Sequence, residues 1–273
     1  MKERETTRLD QWLVERGYFP SRERARLAIM SGEVEVEGKG RALKPGTPVR
    51  PGDRVSVRKK PRFVSRGGEK LEGALRRLGI PVSGREAMDA GSSTGGFTHC
   101  LLERGAKRVL AVDVGKGQLH WKLRGDPRVT PMEGVNVRHL AREDLPFVPD
   151  LIVVDLSFIS LRKVLSVLAS ILDEGGDLLA LVKPQFEAGR EKVGKGGLVK
   201  DPRVHREVLA GVLGEAVESG LSLRGLIPSP LRGADGNLEY FAWFSKGGGS
   251  GREMQGDLER AIEEAVGEAW ETR

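Results

Sequence analysis

The feature that most restricts the fold is a regular alternation of apolar segments with amphipathic helices, which begins near residue 87 and continues to residue 244. Short segments rich in Val, Leu, Ile and Ala predict strands at 87–90, 109–114, 151–155, 178–182, 221–227 and 238–244. Helices are predicted between them at 96–103, 161–172 and 203–219. This order is typical of an α/β fold with a mostly parallel, Rossmann-like sheet and helices on both faces.

The N-terminal sixty residues predict a small, separate α+β domain. Two helices are indicated by apolar residues spaced three and four apart, which are Leu9, Trp12 and Leu13, then Ala25, Ala28 and Ile29. Ser21 is suited to cap the second helix and Gly32 to end it. Valines alternate with other residues at positions 34 and 36 and again at 55 and 57, which predicts two short strands.

Most of the surplus basic charge lies in this N-terminal region. Residues 1–62 contain 16 Lys and Arg against 9 Asp and Glu, whereas the whole chain contains 45 and 39. The region therefore carries a net charge of +7, and the remaining residues carry −1. A basic module joined to a near-neutral body is typical of nucleic-acid-binding proteins. Charge alone leaves a second interpretation open, which is a solvated basic surface with no partner.

The N-terminal domain resembles the RNA-binding fold of a small-subunit ribosomal protein. The segments that carry the resemblance are Arg8-Leu9-Asp10, Ser21-Arg22 with Ala25 and Ile29, and Gly32-x-Val34-x-Val36-x-Gly38. It implies contact with structured RNA through phosphates and shape. The candidate RNA-binding side chains are Arg8, Arg22, Arg24 and Arg26, followed by Lys59, Lys60, Arg62 and Arg66 in a basic segment.

That basic segment is predicted to link the two domains, with the linker at 61–66, because a charged run that contains proline does not continue a helix. A solvated tether is one interpretation. The other is a contact with RNA that helps to bring an extruded target nucleotide into the catalytic crevice.

A glycine-rich loop follows the first predicted strand and reads Asp89-Ala90-Gly91-Ser92-Ser93-Thr94-Gly95-Gly96-Phe97. Glycines at this place let the backbone approach a ligand at the start of a helix. The spacing is not the GxGxxG pattern of dinucleotide-binding proteins. It resembles instead the loop that binds S-adenosylmethionine. Asp113, at the end of the next strand, is placed to accept hydrogen bonds from ribose hydroxyl groups.

Three further strand ends carry charges, which are Asp155, Lys183 and Glu239. Because the carboxyl ends of parallel strands form the ligand crevice of an open α/β sheet, Asp155 and Lys183 are expected to flank one site. Glu239 reaches the same edge only if its strand is antiparallel to the others. Each of these residues alone is also consistent with a solvated strand end.

Together with Lys70, these residues resemble the Lys-Asp-Lys-Glu tetrad of FtsJ-like ribose 2′-O-methyltransferases. The resemblance implies that Lys183 accepts the 2′-hydroxyl proton, that Asp155 and Glu239 position the reacting groups, and that Lys70 completes the network. A general base in fixed geometry suits this reaction, because a ribose hydroxyl group is a weak acid.

The sequence lacks motifs that several other classes of protein require. The single cysteine, Cys100, argues against a disulfide scaffold, a cysteine zinc site and cytosine C5-methylation, which needs a nucleophilic cysteine at the far end of the sheet. No Asn/Asp-Pro-Pro-Tyr segment for amine methylation is present, and no histidine motif predicts a metal. No apolar run approaches the ~18 residues of a membrane helix, and no signal peptide is recognised. A cytoplasmic protein is therefore expected.

Taken together, the chain is similar to the TlyA family of rRNA cytidine 2′-O-methyltransferases, formerly labelled hemolysins. The motifs that carry this resemblance lie at 65–71, 89–98, 113–119, 155–161, 181–187 and 236–240. The resemblance implies S-adenosylmethionine as methyl donor and cytidine in 23S rRNA of the 50S subunit as acceptor. For some members of the family, 16S rRNA of the 30S subunit is implied as a second acceptor. It implies no membrane and no protein partner.

The same resemblance implies roles for individual residues. Those implied to contact the cofactor are Asp89, Gly91, Ser92, Ser93, Thr94, Gly95, Gly96, Phe97, Asp113, Val114, Asn136 and Asp155. His99 departs from the family pattern, in which an acid is common at this position, and weaker cofactor binding is expected if that acid contacts the cofactor. The predicted organisation is an RNA-binding domain at 1–60, the linker at 61–66, a methyltransferase domain at 67–246, and a glycine-rich break with a C-terminal amphipathic helix at 247–273.

Two alternatives remain open from the sequence. One is a non-catalytic RNA-binding factor for ribosome assembly with a degenerate cofactor pocket. The other is a membrane-active hemolysin, which the absence of an apolar span or a strongly basic amphipathic helix disfavours.

Overall fold

The computed structural model describes residues 6–40, 43–57, 62–233, 235–247 and 254–271, the last of these with side chains from residue 257. The chain divides into two compact units, Met1–Pro61 and Arg62–Arg273. Separate hydrophobic clusters form their cores. Lys59 and Lys60, two of the candidate RNA-binding residues, lie outside the described residues.

The N-terminal unit consists of two helices and two pairs of short strands. Its helices are Leu9–Glu15 (α1) and Arg22–Met30 (α2), and its strands are Thr7–Arg8 (β1), Val34–Val36 (β2), Pro48–Val49 (β3) and Val55–Val57 (β4). β1 pairs with β3 and β2 pairs with β4, both in antiparallel orientation. Buried apolar residues of the helices and strands form the core, which contains Leu9, Leu13, Ala25, Ala28, Ile29, Val34, Val36 and Val49.

The structure confirms the residues predicted to begin and end α2. Ser21 Oγ accepts a hydrogen bond from the Arg24 amide at 3.3 Å, so the predicted N-cap of α2 is present. Gly32 follows α2 with φ +71°, a left-handed conformation that glycine adopts readily. The sequence does not predict β1 and β3, because strands of two residues are too short to show an alternating pattern.

The C-terminal unit is a seven-stranded sheet with helices on both faces. Its described strands are Glu86–Ala90 (β5), Arg108–Asp113 (β6), Val129–Glu133 (β7), Leu151–Val154 (β8), Asp177–Val182 (β9), Leu221–Pro228 (β10) and Tyr240–Lys246 (β11). Its described α-helices are Arg66–Leu78 (α3), Gly96–Glu103 (α4), Trp121–Arg124 (α5), Leu165–Ile171 (α6), Pro184–Glu187 (α7), Pro202–Glu218 (α8) and Met254–Glu271 (α9).

The strand order β10-β11-β9-β8-β5-β6-β7 confirms the predicted α/β fold. Strands β5 to β9 pair in parallel, whereas β11 is antiparallel to both β9 and β10. Tyr240 at the start of β11 therefore lies opposite Val182 at the end of β9. Glu239 is expected to reach the site only if its strand is antiparallel to the others. The register satisfies this condition, because β11 begins at the edge of the sheet where β9 ends.

Alternate residues along the strands pack against different helices. One buried cluster joins Met88 and Ile152 to helices α6, α8 and α9, and the other joins Ala87 and Leu151 to helices α3, α4 and α5. Ile262 and Val266 of α9 belong to the first cluster, so the C-terminal helix packs on the body of this unit. Both faces of the sheet are thereby covered, as in other parallel sheets.

The structure revises the basic linker predicted at 61–66. Phe63 is 3% exposed and belongs to the core cluster of α3. Its ring lies so close to the first turn of this helix that a Cβ on Gly68 would be 2.3 Å from Phe63 Cγ. Arg66 is already the first residue of α3. Residues 62–66 are thus a folded part of the C-terminal unit, held there by the burial of the Phe63 ring and by the hydrogen bond from the Val64 amide to His99 Nδ1.

Three elements of the C-terminal unit are missing from the sequence prediction, β7, α5 and α7, and α7 is a single turn of four residues. β7 contains Pro131, which argues against a strand, but β7 is the last strand of the sheet and an edge strand tolerates proline. α5 is a single turn of four residues, too short for a helical pattern. Within the described ranges no helix has the length and apolar composition needed to cross a membrane.

Candidate active site

Two adjoining cavities lie at the carboxyl edge of the sheet. The Asp113 cavity, of about 490 Å³, is lined by Gly91, Ser93, Val112, Asp113, Val114, Gln118, Val135, Asn136, Val137, Asp155, Leu156, Ser157, Phe158 and Ile159. The lysine cavity, of about 450 Å³, is lined by Ser65, Arg66, Gly67, Lys70, Gly91, Ser92, Ser93, Thr94, Gly96, Phe97, Asp155, Ser157, Lys183 and Arg232. Gly91 and Asp155 belong to both, so the two cavities meet where β5 and β8 end.

The loop after β5 is packed tightly at Gly91. This residue has φ +91°, and a Cβ there would lie 2.4 Å from the carbonyl oxygen of Asp155. Its amide and that of Ser92 both donate to the carbonyl oxygen of Val112, at 2.9 and 3.0 Å. Ser93 continues the turn with φ +45°, a conformation that few residues other than glycine adopt. The loop is therefore fixed in a shape that leaves space for a ligand above the strand ends.

Asp113 is held by the same loop. Its Oδ2 accepts a hydrogen bond from the Ser93 amide at 2.8 Å, and its Oδ1 accepts one from the Gly115 amide at 2.7 Å. Each carboxylate oxygen can accept a second hydrogen bond. Because the side chain lines the cavity, its remaining lone pairs are fixed acceptors for two neighbouring hydroxyl groups, as a ribose presents.

Glu133 supports the other side of the Asp113 cavity. Hydrogen bonds from Arg124 and from the backbone amide of Gly117 lower the pKa of Glu133 to about 2. Glu133 also accepts from the Leu119 amide at 3.4 Å, so this carboxylate holds the chain on either side of Gln118, which lines the cavity. The loop that closes the cavity is thus fixed by an ionised carboxylate at neutral pH.

The far wall of the Asp113 cavity is apolar. Val114 is 68% exposed although it is a large aliphatic residue, and Val135, Val137 and Ile159 complete the wall. Asn136, between two of these valines, accepts a hydrogen bond from the Arg138 amide at 3.1 Å. An apolar slot that ends in a fixed carboxylate suits a nucleoside, with the base between aliphatic side chains and the ribose at Asp113.

Asp89 lies below the loop and lines neither cavity. It is fully buried, and its Oδ2 accepts hydrogen bonds from Thr98 N at 2.8 Å and Thr98 Oγ1 at 2.7 Å. Burial raises the pKa of Asp89 to about 7. The structure therefore gives Asp89 a supporting position, in which it joins the end of β5 to helix α4, rather than contact with a ligand.

The raised pKa of Asp89 predicts a specific pH dependence of stability. An aspartate in the unfolded chain loses its proton near pH 4, whereas folded Asp89 keeps its proton up to about pH 7. Between these values the folded state binds more protons, so its free energy of unfolding falls as pH rises, by about 4 kcal/mol at most. Relative to wild type, Asp89→Asn should gain stability between pH 5 and about 7 in chemical denaturation, and the difference should level off above that pH.

Asp126→Asn is the matched control. A hydrogen bond from Arg128 lowers the pKa of Asp126, so its contribution changes only at acid pH. The stability difference between this variant and wild type should stay constant between pH 5 and 8. A constant difference for Asp89→Asn over the same range would show that Asp89 is ionised in the folded protein.

The lysine cavity contains two lysine–carboxylate ion pairs. Lys183 Nζ lies 2.7 Å from Asp155 Oδ1 and donates a hydrogen bond to Ser157 Oγ at 2.9 Å. The contact with Asp155 is close but not aligned as a hydrogen bond, so it is an ion pair. Lys70 Nζ donates to Glu239 Oε2 at 2.6 Å. Both lysine side chains are 11% exposed. The four predicted tetrad residues are thus paired as Lys183 with Asp155 and Lys70 with Glu239.

Glu239 is the most deeply placed of the four residues. Its side chain is 3% exposed and does not line the cavity itself. The backbone of Gly233 packs against it, since a Cβ there would lie 2.5 Å from Glu239 Oε1. Glu239 therefore acts on the cavity through Lys70, whose position it fixes.

An exposed aromatic ring stands at the border of the Asp113 cavity. Phe158 is 90% exposed, has φ +63°, and packs its ring at 5.1 Å from the ring of Phe186. A bulky residue in the left-handed region is strained, and such strain is found mainly at functional sites. Phe158 is not among the site residues predicted from the sequence. Its signal is a large apolar residue directly after Ser157, just beyond the end of a buried strand.

The remaining predicted cofactor residues fall into two groups. Those that line a cavity are Gly91, Ser92, Ser93, Thr94, Gly96, Phe97, Asp113, Val114, Asn136 and Asp155. Gly95 lines neither, because it faces helix α5, where a Cβ would lie 2.3 Å from Leu123 Cδ1. Gln118, Ser157 and Arg232 line cavities although the sequence analysis did not select them.

His99 lies away from both cavities. Its Nδ1 accepts a hydrogen bond from the Val64 amide at 3.2 Å, and its ring packs edge-on against Phe63 at 5.6 Å. Burial lowers the pKa of His99, which favours the neutral ring that this hydrogen bond requires. The structure thus assigns His99 to anchoring residues 63–64 on helix α4. The weaker cofactor binding expected from this departure has no structural basis.

The candidate RNA-binding arginines differ in their surroundings. Arg8 and Arg22 both donate to the buried carboxylate of Asp10, at 3.1 and 3.2 Å, and both remain about half exposed. Burial acts to raise the pKa of Asp10, but these two arginines outweigh it and the pKa is lowered. Arg24 and Arg26 are exposed on α2.

In the C-terminal unit, two further candidates have different partners. Arg62 pairs with Glu72 and Glu103 at 3.4 and 3.5 Å and lies over the Phe63 ring. Arg66 is exposed and borders the lysine cavity. Among the described residues, no group of three or more His, Cys, Asp and Glu side chains is arranged to hold a metal ion.

The fold and these cavities define an S-adenosylmethionine-dependent methyltransferase. The Asp113 cavity fits the nucleoside part of this cofactor, and it shares Gly91, Ser93, Asp155 and Ser157 with the cavity that contains the two lysines. Residues 63–246 match the family of FtsJ-like methyltransferases, and residues 7–55 match the S4 domain. The chain belongs to the TlyA family of these enzymes, as its sequence motifs predict.

Relatives match over nearly the whole chain. The 16S/23S rRNA (cytidine-2′-O)-methyltransferase TlyA of Mycobacterium tuberculosis is 44% identical over 263 residues, which cover 96% of this chain and 97% of that protein. YqxC of Bacillus subtilis is 46% identical over 264 residues, or 94% and 93% of the two chains. A solved structure from Streptococcus thermophilus, described as a hemolysin, aligns with a TM-score of 0.73 and 39% identity over 99% of this chain and 98% of that one.

Proposed function

We propose that this enzyme transfers the methyl group of S-adenosylmethionine to the ribose 2′-hydroxyl of a cytidine in ribosomal RNA, and that it acts in the cytoplasm. The observation that carries the proposal is the pair of lysines, each held by a carboxylate, in a cavity that adjoins the nucleoside-shaped one. The choice of cytidine and of rRNA follows the mycobacterial relative, which is named for that substrate. The match to an RNA-binding domain at 7–55 supports an RNA acceptor.

Lys183 is placed to receive the proton of the attacking hydroxyl group. When bound, S-adenosylmethionine supplies a methyl group on a positively charged sulfur, which leaves as a neutral thioether. The hydroxyl oxygen forms its new bond to carbon while its proton passes to the free-amine form of Lys183 Nζ. Asp155 and Ser157 hold Lys183 from two sides, which fixes the direction of its lone pair. The protonated lysine is then stabilised by Asp155.

Lys70 is placed to supply a second contact to the reacting hydroxyl group. Glu239 holds its ammonium group at 2.6 Å and is too buried to reach the substrate itself. An ammonium group so held donates hydrogen bonds in a fixed direction, toward the oxygen on which negative charge develops. The tetrad therefore divides into a proton-accepting pair, Lys183 with Asp155, and an orienting pair, Lys70 with Glu239.

A nucleotide must leave its stacked helix before its ribose can enter this cavity, and Phe158 is placed to stabilise the extruded state. Phe158 borders the adjoining Asp113 cavity and follows Ser157, which lines both cavities. Its exposed ring can therefore stack on a displaced base, which is worth ~1–3 kcal/mol. We expect Phe158→Ala to lower kcat/KM for rRNA roughly tenfold, with a smaller change in the Kd for S-adenosylhomocysteine. Phe158→Tyr keeps the ring and should retain most of the activity. Equal kcat/KM for wild type and Phe158→Ala would exclude this role.

The acceptor is tested with separated ribosomal subunits. Purified protein is incubated with labelled S-adenosylmethionine and either 50S or 30S subunits that lack the modification, and the labelled nucleotide is identified after digestion. We expect 2′-O-methylcytidine in 23S rRNA, and in 16S rRNA as well if the chain shares both substrates of its mycobacterial relative. Label on neither subunit would favour a non-catalytic assembly factor. Label on a base would contradict the ribose mechanism.

A further inference from the structure

The lysine cavity carries more positive charge than its reaction chemistry uses. Its two lysines are each matched by a carboxylate, Lys70 by Glu239 and Lys183 by Asp155. Arg66 and Arg232 line the same cavity and are exposed, and within the described part of the chain neither makes an ion pair or a side-chain hydrogen bond. Two positive charges in the cavity are therefore left for a ligand.

The backbone of each arginine lies near one residue of the tetrad. Arg66 precedes Lys70 by four residues on helix α3, so the two side chains lie on the same face of that helix. Arg232 directly precedes Gly233, whose backbone packs against Glu239. The Gly233 amide also donates to the carbonyl oxygen of Asn237 at 2.9 Å, which ties this turn to the start of β11. The backbone positions of both arginines are therefore set relative to the tetrad, while their exposed side chains remain free to reach a ligand.

We infer that Arg66 and Arg232 form a phosphate subsite that binds the RNA phosphodiester groups on either side of the target ribose. This inference rests on the proposed function, because it assigns a ligand to the acceptor cavity. A ribose within a chain has one phosphate on its 5′ side and one on its 3′ side, close to the 2′-hydroxyl group. Guanidinium groups bind phosphate oxygens through paired hydrogen bonds, a geometry that a lysine ammonium group does not offer.

A competing ligand is the carboxylate of S-adenosylmethionine, which has the same charge and enters the same cavity. The arrangement of the arginines favours RNA. Both are exposed, whereas Ser92 of the glycine-rich loop, which lines the same cavity, is buried. The backbone amides at the start of helix α4 are available to a carboxylate at that deeper position.

The test replaces each arginine by glutamine, as Arg66→Gln and Arg232→Gln. For each variant we measure the Kd for S-adenosylhomocysteine by calorimetry, KM and kcat with subunits, and RNA affinity as a function of salt. Each substitution should raise KM for RNA roughly tenfold, as expected for a lost charge-assisted hydrogen bond. Each should reduce the slope of log affinity against log salt by about one. The Kd for S-adenosylhomocysteine should not change.

Arg224→Gln is the matched control, since Arg224 is an exposed arginine of β10 that lines neither cavity. It should leave KM and the salt slope unchanged. Arg232→Lys should restore part of the affinity, because it restores the charge but not the paired donors. A raised Kd for S-adenosylhomocysteine with unchanged KM for RNA would assign the arginines to the cofactor carboxylate and overturn the inference.

Failure of the subsite can be told apart from failure of the proposed function. If wild-type protein methylates no rRNA, the proposed function fails, but the salt slope still reports whether the arginines neutralise RNA phosphates. If wild type methylates rRNA and both glutamine variants match it in KM and salt slope, the subsite is wrong while the enzyme assignment stands.

Discussion

Lys183→Met is expected to lower kcat for rRNA methylation by about 10²–10⁴-fold, the usual effect of removing a general base. Methionine has a similar length and fills the same space, so the cavity keeps its shape. What is lost is the nitrogen that receives the 2′-hydroxyl proton and that pairs with Asp155 at 2.7 Å. The Kd for S-adenosylhomocysteine should change little, because the Asp113 cavity does not include Lys183. Single-turnover assays with saturating subunits measure the chemical step directly.

Lys200→Met controls for the loss of a lysine charge, since Lys200 is an exposed lysine that lines neither cavity. Its kcat should equal that of wild type. Lys70→Met is the more informative comparison, because Lys70 is equally buried and equally close to a carboxylate. If Lys70 orients the hydroxyl group, this variant should lose activity while the Kd for S-adenosylhomocysteine changes little, because Lys70 does not line the Asp113 cavity. Full activity of Lys183→Met would remove the proposed base.

The position of the tetrad at one edge of the sheet is predictable from sequence, because three of its residues end or begin apolar segments. Parallel strands place their carboxyl ends together, which brings Asp155 and Lys183 to one edge. The pairing within the tetrad is not predictable in this way. Lys70 meets Glu239 across 169 positions of sequence, and that contact depends on how α3 packs beside the turn before β11.

Other features escape sequence reasoning for different physical reasons. Asp89 is the last residue but one of β5 and Asp113 is the last residue of β6, yet Asp89 is fully buried and Asp113 lines a cavity. The difference arises because Asp89 lies beneath the loop that follows β5. His99 looks like a change at the cofactor site, but its position on helix α4 turns it toward Val64. Arg232 stands in a turn of no regular pattern, and only the packing of Gly233 on Glu239 reveals its place beside the cavity.

Gly91→Ala is expected to reduce kcat/KM by at least about 100-fold, because misplacing reacting groups by about 1 Å has an effect of this size. The new Cβ would lie 2.4 Å from the carbonyl oxygen of Asp155, and a backbone oxygen cannot rotate away. The Asp155 amide donates a hydrogen bond to the carbonyl oxygen of Ala90 at 2.9 Å. Relief of the clash must therefore separate β5 from β8 or change the conformation of the loop. Either change moves Asp155, and with it Lys183.

Gly84→Ala is the control variant, because it changes a glycine in the same backbone conformation without creating a steric clash. Gly84 has φ +78°, close to the φ +91° of Gly91, but a Cβ there meets no atom within 4 Å. Gly84→Ala should therefore cost only the left-handed backbone strain of about 1–2 kcal/mol, with normal cofactor binding. Gly91→Ala adds an overpacking cost of about 1–3 kcal/mol and should lose cofactor affinity in calorimetry. If both variants bind S-adenosylhomocysteine equally well, the loop is free to relax, and the close approach of Gly91 to Asp155 does not shape the cofactor site.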